Sequence, residues 1–242
     1  MPVAIITGAS RGLGRALAGA LAGRGWDLVL DGRNADALRA AALDLERAAP
    51  RSAAGRARVR ALPGDVTSAE HRAELLAAAA GFGGDSGLDL LVNNASALGA
   101  EPLVPLAQLP VEGLRQALET NVAAPFALVR AALPTLRAAR GAVLNVSSDA
   151  AVEPYPTWGG YGASKAALDH LSAVLAAEEP EVRVWWVDPG DLRTELYAAA
   201  VPDDPDFAAR PLPADVAPAF LRLLDRRPAS GRYVAPELLD AR

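Results

Sequence analysis

Short apolar runs alternate along the chain with longer segments in which alanine and leucine recur at helical spacing. The first run, VAII at 3–6, leads through a glycine-rich turn into a helix predicted over 12–24. The second, DLVLD at 27–31, leads into a helix predicted over 34–49, with Asn34 as a suitable N-cap. Because apolar strands joined by helices need crossover connections, we expect an α/β fold with a doubly wound parallel sheet and helices on both faces. Further strands are predicted at 58–62, 88–92, 142–146, 182–187 and 233–235.

Composition and charge narrow the choice of domain number, partner and location. The segment PRSAAGRA at 50–57 is the best linker candidate, but strands continue on both sides of it, so we expect a single domain across 1–242. The net charge of −5 is spread without long basic or acidic blocks, so we expect neither a nucleic acid nor a membrane partner. With no Cys and 2 His, no metal site is expected. A short apolar run without a basic leader predicts a cytoplasmic protein.

The turn TGASRGLG, residues 7–14, stands between the first strand and the first helix, where a doubly wound sheet binds a dinucleotide. Gly8 would allow a tight turn, Gly12 would let backbone amides approach a pyrophosphate, and Gly14 would let the helix pack close to the sheet. The spacing differs from the common Gly-x-Gly-x2-Gly pattern. A plain tight turn uses the same residues, but the flanking strand and helix favour a phosphate site.

The stretch YGASK, residues 161–165, places a phenol and an ammonium group one helical turn apart among small neighbours. A solvated surface pair has the same spacing, so these five residues alone leave the choice between surface and active site open.

Six motifs follow one another along the chain: TGASRGLG, NNAS (93–96), Asn121, Ser148, YGASK and DPGDLRT (188–194). Their order and spacing resemble the signature of the short-chain dehydrogenase/reductase family over nearly the whole chain. The resemblance implies a Rossmann-type fold and hydride transfer with a nicotinamide cofactor. It also implies these cofactor-binding residues: Gly8, Ser10, Arg11, Gly12, Leu13, Gly14, Arg33, Asp65, Val66, Asn93, Ala95, Tyr161, Lys165, Pro189, Gly190, Leu192 and Thr194.

By the same resemblance the catalytic residues are Asn121, Ser148, Tyr161 and Lys165. Carbonyl reduction builds negative charge on oxygen, which calls for a proton donor and hydrogen-bond donors. Tyr161 would supply the proton, with Lys165 lowering the pKa of its phenol from about 10. Ser148 would hydrogen-bond the substrate oxygen; Ser147 is the alternative, and both also suit strand-end caps. Asn121 would hold a water near the lysine through its backbone, or would simply begin a helix.

The choice between NAD and NADP depends on the end of the second strand, LVLDGRN at 28–34. A carboxylate there accepts from a ribose hydroxyl, whereas arginine pairs with the 2′-phosphate of NADP. By family alignment the acid falls at Gly32, and Asp31, one residue early, should point to the other face of the strand. Arg33 and Arg11 resemble the basic residues of NADP-preferring members. We therefore expect NADP(H), with NAD as the alternative if Asp31 reaches the ribose.

These features predict an NADP(H)-dependent oxidoreductase that transfers a hydride between nicotinamide and a small or medium carbonyl or secondary alcohol. The intact catalytic set disfavours the rival from another class, a non-catalytic NADP-binding sensor or scaffold. Ser96 stands where the family usually has glycine and is similar to some pteridine reductases, so a pteridine or quinone reductase is the nearer alternative. Substrate choice is expected to depend on the loop 195–213, Tyr155 and Trp158.

Further residues bear on assembly and on charge near the site. The carboxyl end lacks the Asp-Gly-Gly tail common in the family, so we expect a homodimer through the helices that begin near Val111 and Tyr161, with a tetramer as the alternative. Asp191 is unusual in its turn and is expected either to repel anionic substrates or to bond Arg193. His71 and His170 are interpreted as ordinary helix residues.

Overall fold

The computed structural model describes residues 1–52, 55–82 and 87–240. Seven strands form one parallel sheet in the order β5-β2-β1-β6-β7-β8-β9, and β3 pairs antiparallel with β4. This confirms the doubly wound α/β fold. The strands are β1 (Val3–Ile6), β2 (Asp27–Gly32), β3 (Arg51–Ser52), β4 (Gly55–Arg56), β5 (Val59–Pro63), β6 (Leu90–Asn93), β7 (Ala142–Val146), β8 (Arg183–Asp188) and β9 (Gly231–Val234).

Helices cover both faces of the sheet because successive strand side chains point to opposite sides. In β1, Ala4 and Ile6 pack in a cluster with α1, α2 and α8, while Val3 and Ile5 pack in a second cluster with α3 and α5. Asn34 caps α2 as predicted, accepting from the Ala37 amide at 3.0 Å. The helices are α1 (Gly12–Ala22), α2 (Ala35–Ala48), α3 (Ala69–Ala80), α4 (Val111–Leu118), α5 (Ala124–Ala139), α6 (Gly159–Glu178), α7 (Glu195–Ala200), α8 (Pro213–Arg226) and α9 (Ala235–Asp240).

The predicted linker joins neighbouring parts of one sheet. Within it Arg51–Ser52 pairs with Gly55–Arg56, and residues 53 and 54 lie outside the described part of the chain. The strands before and after it, β2 and β5, are hydrogen-bonded neighbours. The last strand begins at Gly231, two residues before its predicted start.

Within the described residues, one helical run is long and apolar enough to cross a membrane by length and composition alone, Val111–Ala139. It comprises α4, a π-helical turn at Glu119–Ala123 and α5. Core helices pass the same test, and Leu128, Ala132 and Leu136 of this run are buried against the sheet. The α5 part of the run therefore packs on the sheet, as a core helix does.

The strand order reverses next to β1, which lies between β2 on one side and β6 on the other. In open α/β sheets a crevice forms at this reversal, outside the carboxyl ends of the strands. The glycine turn follows β1, NNAS begins with the last residue of β6, and Ser148 follows β7. The sheet therefore gathers three dispersed motifs at one edge.

Candidate active site

The glycine turn forms a cradle that side chains would fill. Gly8 has φ +65°, and a Cβ there would lie 2.9 Å from the Ala95 Cα. A Cβ on Gly14 would lie 2.5 Å from the Gly8 carbonyl oxygen, so the start of α1 packs directly on the turn. At Gly12 the nearest side chain is that of Thr194, 3.6 Å from the Cβ position. The turn offers its backbone amides at the N-terminus of α1, which is the kind of site that binds the pyrophosphate of a dinucleotide.

The NNAS segment is fixed to the glycine turn through its second asparagine. Asn94 donates from Nδ2 to the carbonyl oxygens of Thr7 and Gly8, at 2.8 and 3.1 Å. The Ala95 amide donates to the Thr7 hydroxyl at 3.0 Å. Asn93 instead turns its side chain into the sheet and donates to Asn145 Oδ1 at 2.7 Å. Its side chain is thus engaged inside the protein, away from the crevice.

Tyr161 and Lys165 lie side by side on α6, and both are buried, with 7% and 2% of their surface exposed. This rejects the surface-pair interpretation. The Lys165 Nζ donates to the Val146 carbonyl oxygen at 2.7 Å and lies 5.5 Å from the centre of the Tyr161 ring. Gly162 brings α6 against the loop after β7, since a Cβ there would lie 2.5 Å from the Ala150 carbonyl oxygen.

Ser148 caps the turn after β7 and also faces the phenol of Tyr161. Its hydroxyl accepts from the Ala150 amide at 3.2 Å and donates to Asp149 Oδ1 at 3.0 Å. The capping and catalytic interpretations are therefore compatible. Ser147 is buried beside Asp169, with its hydroxyl 3.5 Å from the Ser148 carbonyl oxygen, so Ser148 is the serine that approaches Tyr161.

Asn121 lies inside the π-helical turn and does not begin a helix. Its side chain is buried and fully used: Nδ2 donates to the Ala97 carbonyl and to the Ser164 hydroxyl, both at 2.8 Å. Oδ1 accepts from the Ala97 amide at 2.8 Å and from the Ser96 hydroxyl at 3.2 Å. Single π-turns within helices are frequent at functional sites. The backbone is the part of Asn121 left for chemistry.

Burial is the largest influence on the phenol, and it raises the pKa of Tyr161 above its usual 10. A hydrogen bond from Ser96, and a weaker contribution from Ser148, lower the pKa of the phenol. The negative charges of Asp149 and Asp188 raise it. Desolvation thus outweighs the lowering of the phenol's pKa predicted from Lys165. The phenol therefore keeps its proton at neutral pH.

Burial also governs the ammonium group, lowering the pKa of Lys165 from 10.5 to about 8. The charge of Asp169, one turn further along α6, acts in the opposite direction. Lys165 is therefore still mostly protonated at pH 7, next to a neutral phenol.

The acid at the end of β2 is turned away from the crevice. Asp31 is 2% exposed, and its carboxylate accepts from the Gly8 amide at 3.2 Å and contacts His71 Nε2 at 2.7 Å. Arg11 and Arg33 are exposed: Arg11 pairs with Glu195 across the crevice, and Arg33 lies near Asp65. The geometry thus disfavours contact between Asp31 and a ribose.

A cluster around Arg232 connects the loops on either side of the site. Its Nη2 donates to the Ser148 carbonyl at 3.0 Å and to Asp188 Oδ2 at 3.4 Å, and its Nε donates to Asp169 Oδ2 at 3.3 Å. The other oxygen of Asp188 accepts from the Gly190 amide at 2.9 Å. One guanidinium therefore ties the serine loop, the Pro-Gly turn and α6 together.

The remaining cofactor candidates divide into core and crevice residues. Leu13, Val66 and Leu192 are buried, so they support the turns that carry them.

The other candidates line the crevice. Asp65 accepts from Thr67, and the Thr67 backbone amide is the main reason that the pKa of Asp65 is lowered. Ser10 lies 3.4 Å from the Cβ position of Gly32. Pro189 and Gly190 form the turn after β8, and Thr194 caps α7 by accepting from the Tyr197 amide at 3.2 Å.

The loop predicted to select substrate contains α7 and a row of aromatic rings. Tyr197 stacks on Phe207 with ring centres 6.3 Å apart and lies 6.4 Å from Trp158, which meets Tyr161 edge-on at 5.6 Å. Tyr155, which precedes Trp158 by three residues, has 44% of its surface exposed.

Asp191 is held by an arginine of this loop. Its carboxylate pairs with Arg210 at 2.6 Å, and Arg210 also pairs with Asp204 at 2.6 Å. Arg193 donates instead to the Ala208 carbonyl oxygen. The prediction of a bond between Asp191 and Arg193 is therefore wrong, because the loop folds back and brings Arg210 to the acid.

Comparisons with known proteins agree with this geometry. The family model described as short chain dehydrogenase matches residues 2–205. Sepiapterin reductase of Xenopus laevis is 34% identical over 203 residues, which cover 81% of this chain and 75% of the relative. The alcohol dehydrogenase of the archaeon Thermococcus sibiricus, complexed with 5-hydroxy-NADP, superposes with a TM-score of 0.84 at 30% identity and covers 97% of this chain and 95% of that one. A short-chain dehydrogenase of Shigella flexneri 2a complexed with NADP superposes with a TM-score of 0.85 at 28% identity, and the match covers 97% of each chain.

The fold and the family match therefore define an oxidoreductase built on a Rossmann-like sheet. The chain belongs to the short-chain dehydrogenase/reductase family.

Sequence reasoning missed the supporting residues of the site. Arg232 and His71 meet their partners only in the folded protein, and neither belongs to a motif that the sequence would reveal. For Asp169 one signal was available: it lies four residues after Lys165, on the same helix face.

Proposed function

We propose that the protein is an NADP(H)-dependent oxidoreductase that interconverts a small or medium ketone or aldehyde and its alcohol, with Tyr161 as general acid and base. The proposal rests on one observation: Tyr161, Lys165 and Ser148 converge at the sheet edge that also carries the glycine turn. On this proposal the chain works as a single cofactor-binding catalytic domain, residues 1–242.

The residues that would hold the cofactor have distinct tasks. The amides of the glycine turn suit the pyrophosphate, and Thr194 faces Gly12 from the other wall. Arg11 and Arg33 suit the 2′-phosphate, with Arg11 leaving Glu195 to reach it. The inward position of Asp31, and structural relatives solved with NADP, support NADP over NAD.

When bound, NADPH would supply the hydride. Tyr161 would give its phenolic proton to the carbonyl oxygen as negative charge develops there, and would take a proton back in the oxidation direction. Ser148 would turn its hydroxyl hydrogen from Asp149 to the same oxygen. Lys165 would stabilise the phenolate that remains, since it is protonated at neutral pH.

The first experiment is a fluorescence titration with NADPH and NADH, followed by turnover of a carbonyl panel. We expect NADPH to bind at least about tenfold more tightly than NADH. Tyr161→Phe should still bind NADPH while kcat falls by roughly 10²–10⁴, the usual contribution of a general acid.

Three results would contradict the proposal. Tighter binding of NADH would remove the roles of Arg11 and Arg33, and a fully active phenylalanine variant would remove the role of Tyr161. Binding of NADPH without turnover of any substrate would favour a sensor or scaffold.

A pteridine substrate is the second candidate, supported by the 34% identity to a sepiapterin reductase. The aromatic row of Trp158, Tyr197 and Phe207 offers rings on which a flat heterocycle can stack. Sepiapterin therefore belongs in the panel, and a kcat/KM at least about tenfold above that of simple ketones would favour this candidate.

We also propose a cytoplasmic homodimer that acts on small molecules. The supporting feature is the helix face, an exposed apolar surface on α4, α5 and α6 formed by Val111, Leu118, Phe126, Leu171 and Val174. Apolar patches of this kind mark interaction surfaces. The scattered charge gives no support for a nucleic acid partner.

A further inference from the structure

Beneath the glycine turn lies a buried acid–base pair that the catalytic set does not use. Asp31 on β2 and His71 on α3 are 2% and 6% exposed, with 2.7 Å between Asp31 Oδ1 and His71 Nε2. Gly64 makes room for the imidazole, because a Cβ there would lie 2.3 Å from His71 Nδ1. The second carboxylate oxygen accepts from the Gly8 amide at 3.2 Å. The acid is therefore held between the histidine and the first glycine of the phosphate cradle.

The position of this pair matters because the end of β2 is where the adenosine ribose is discriminated. Gly32 has no side chain, and its Cβ position is 3.4 Å from Ser10, so the crevice side of this strand end carries no carboxylate. The charged carboxylate of Asp31 nevertheless lies close by, on the other side of the strand, where it bonds the Gly8 amide. An unpaired negative charge in a buried position acts over a longer range than one in water.

The other charges around His71 leave Asp31 as its principal partner. Glu74, on the same helix, has an oxygen 3.8 Å from Nδ1 and is mostly exposed. Asp65, in the turn before α3, lies near both Arg33 and His71. The hydrogen bond to Asp31 is the largest influence on the imidazole and raises the pKa of His71, which favours the cation.

We propose that His71 is a cofactor-specificity residue that holds the Asp31 carboxylate under the glycine turn and neutralises its charge, so that the 2′-phosphate of NADP is accepted above it. The proposal rests on the NADP preference argued above. It separates two effects of Asp31. The bond to Gly8 supports the turn for both cofactors. The uncompensated charge would repel the pyrophosphate of either cofactor and, in NADP, the 2′-phosphate as well, so only the 2′-phosphate changes the ratio of the two Kd values.

The experiment compares His71→Gln, Asp31→Asn and the double variant with the wild type. Kd values for NADPH and NADH are measured by fluorescence titration without substrate, at pH 6.5 and fixed ionic strength. In His71→Gln we expect the ratio of the NADPH Kd to the NADH Kd to rise roughly tenfold, because the buried charge is unmasked. In the double variant that ratio should return to within about twofold of the wild-type value. His170→Gln, on an exposed histidine, is the matched control and should change neither Kd.

Equal weakening of both cofactors in His71→Gln would overturn the proposal and leave the pair a support for the turn. If His71→Gln does not fold, Asp31→Asn decides: a lowered NADPH-to-NADH Kd ratio supports the charge argument, because the His71 cation is then left without its carboxylate, and an unchanged or raised ratio contradicts it. Failure of the NADP preference is separately visible as tighter NADH binding by the wild type. In that case a tenfold change of the ratio in His71→Gln would still support the role of His71.

Discussion

Burial sets the protonation of the two central residues, and it moves them in opposite directions. The pKa of Tyr161 is raised and that of Lys165 is lowered to about 8, so each is pushed towards its uncharged form. The hydroxyls of Ser96 and Ser148 work against burial at the phenol. Ser96 therefore contributes a hydroxyl that contacts both the Tyr161 phenol and Asn121, which the glycine usual in the family could not provide.

Burying the charged Lys165 lowers the free energy of unfolding of the protein. Below pH 8 Lys165 is protonated in both folded and unfolded chains, and the folded protein bears the full cost of the buried charge, on the order of 3 kcal/mol. Between pH 8 and 10.5 the unfolded chain binds the proton and the folded one does not, so this cost diminishes as pH rises.

We therefore expect Lys165→Met to be inactive yet more stable than the wild type at pH 7, by about 2 kcal/mol after loss of the bond to the Val146 carbonyl. The gain should shrink as pH rises from 8 to 10.5. Urea unfolding of both proteins across this range gives the difference in the free energy of unfolding. A methionine variant less stable than the wild type at pH 7 would contradict the argument.

At the scale of the elements, β9 shows how a strand remote in sequence supports the site. It begins at Gly231, so Arg232 lies inside it beside β8 and reaches the Ser148 carbonyl, Asp188 and Asp169. No motif distinguishes Arg232, because its partners belong to a loop, a strand end and a helix that meet only in the folded sheet.

We expect Arg232→Met to lower kcat about tenfold with less than threefold change in the Kd of NADPH, since the serine loop and Pro-Gly turn lose their common anchor. Arg232→Lys keeps the charge but not the forked donors, and should recover part of the loss. Stopped-flow turnover and fluorescence binding measure the two quantities. Equal loss in both variants, with matching loss of thermal stability, would indicate a purely structural role.

The strands and the first helices could be predicted because their signals are local. VAII and AVLNV are apolar runs bounded by turn residues, and Asn34 caps α2 by a bond three residues away. Long-range pairs could not be predicted. Asp31 meets His71 forty residues on, and Asp191 meets Arg210 because the loop folds back. Such contacts depend on which elements become neighbours, and the apolar pattern does not encode this.

For the whole molecule, the strand order explains why motifs spread from Thr7 to Thr194 act together. The reversal beside β1 places the carboxyl ends of β1, β6 and β7 at one edge, and the continuous helical run from α4 to α5 places Asn121 beside Ser96. The groove that contains Phe126 is also lined by Arg33 and Asp65, so the helix face borders the edge of the sheet that carries the candidate site. The helix face lies on α4, α5 and α6, outside the sheet.

Association through the helix face is expected to hold a homodimer. Phe126 of the helix face is 51% exposed and lines a groove with Leu118 and Leu171, with charged residues such as Glu112 and Arg115 on the same groove. Phe126→Glu would bury a charge against apolar groups of the second copy, so we expect the dimer Kd to rise at least about 100-fold and the protein to run as a monomer. Light scattering after size exclusion at several protein concentrations measures this. Leu43→Glu, on the 51% exposed Leu43 of α2, is the matched control and should remain dimeric, because α2 packs on the other face of the sheet. A monomeric wild type would contradict the homodimer proposal, and dissociation by the Leu43 variant alone would place the interface on another surface.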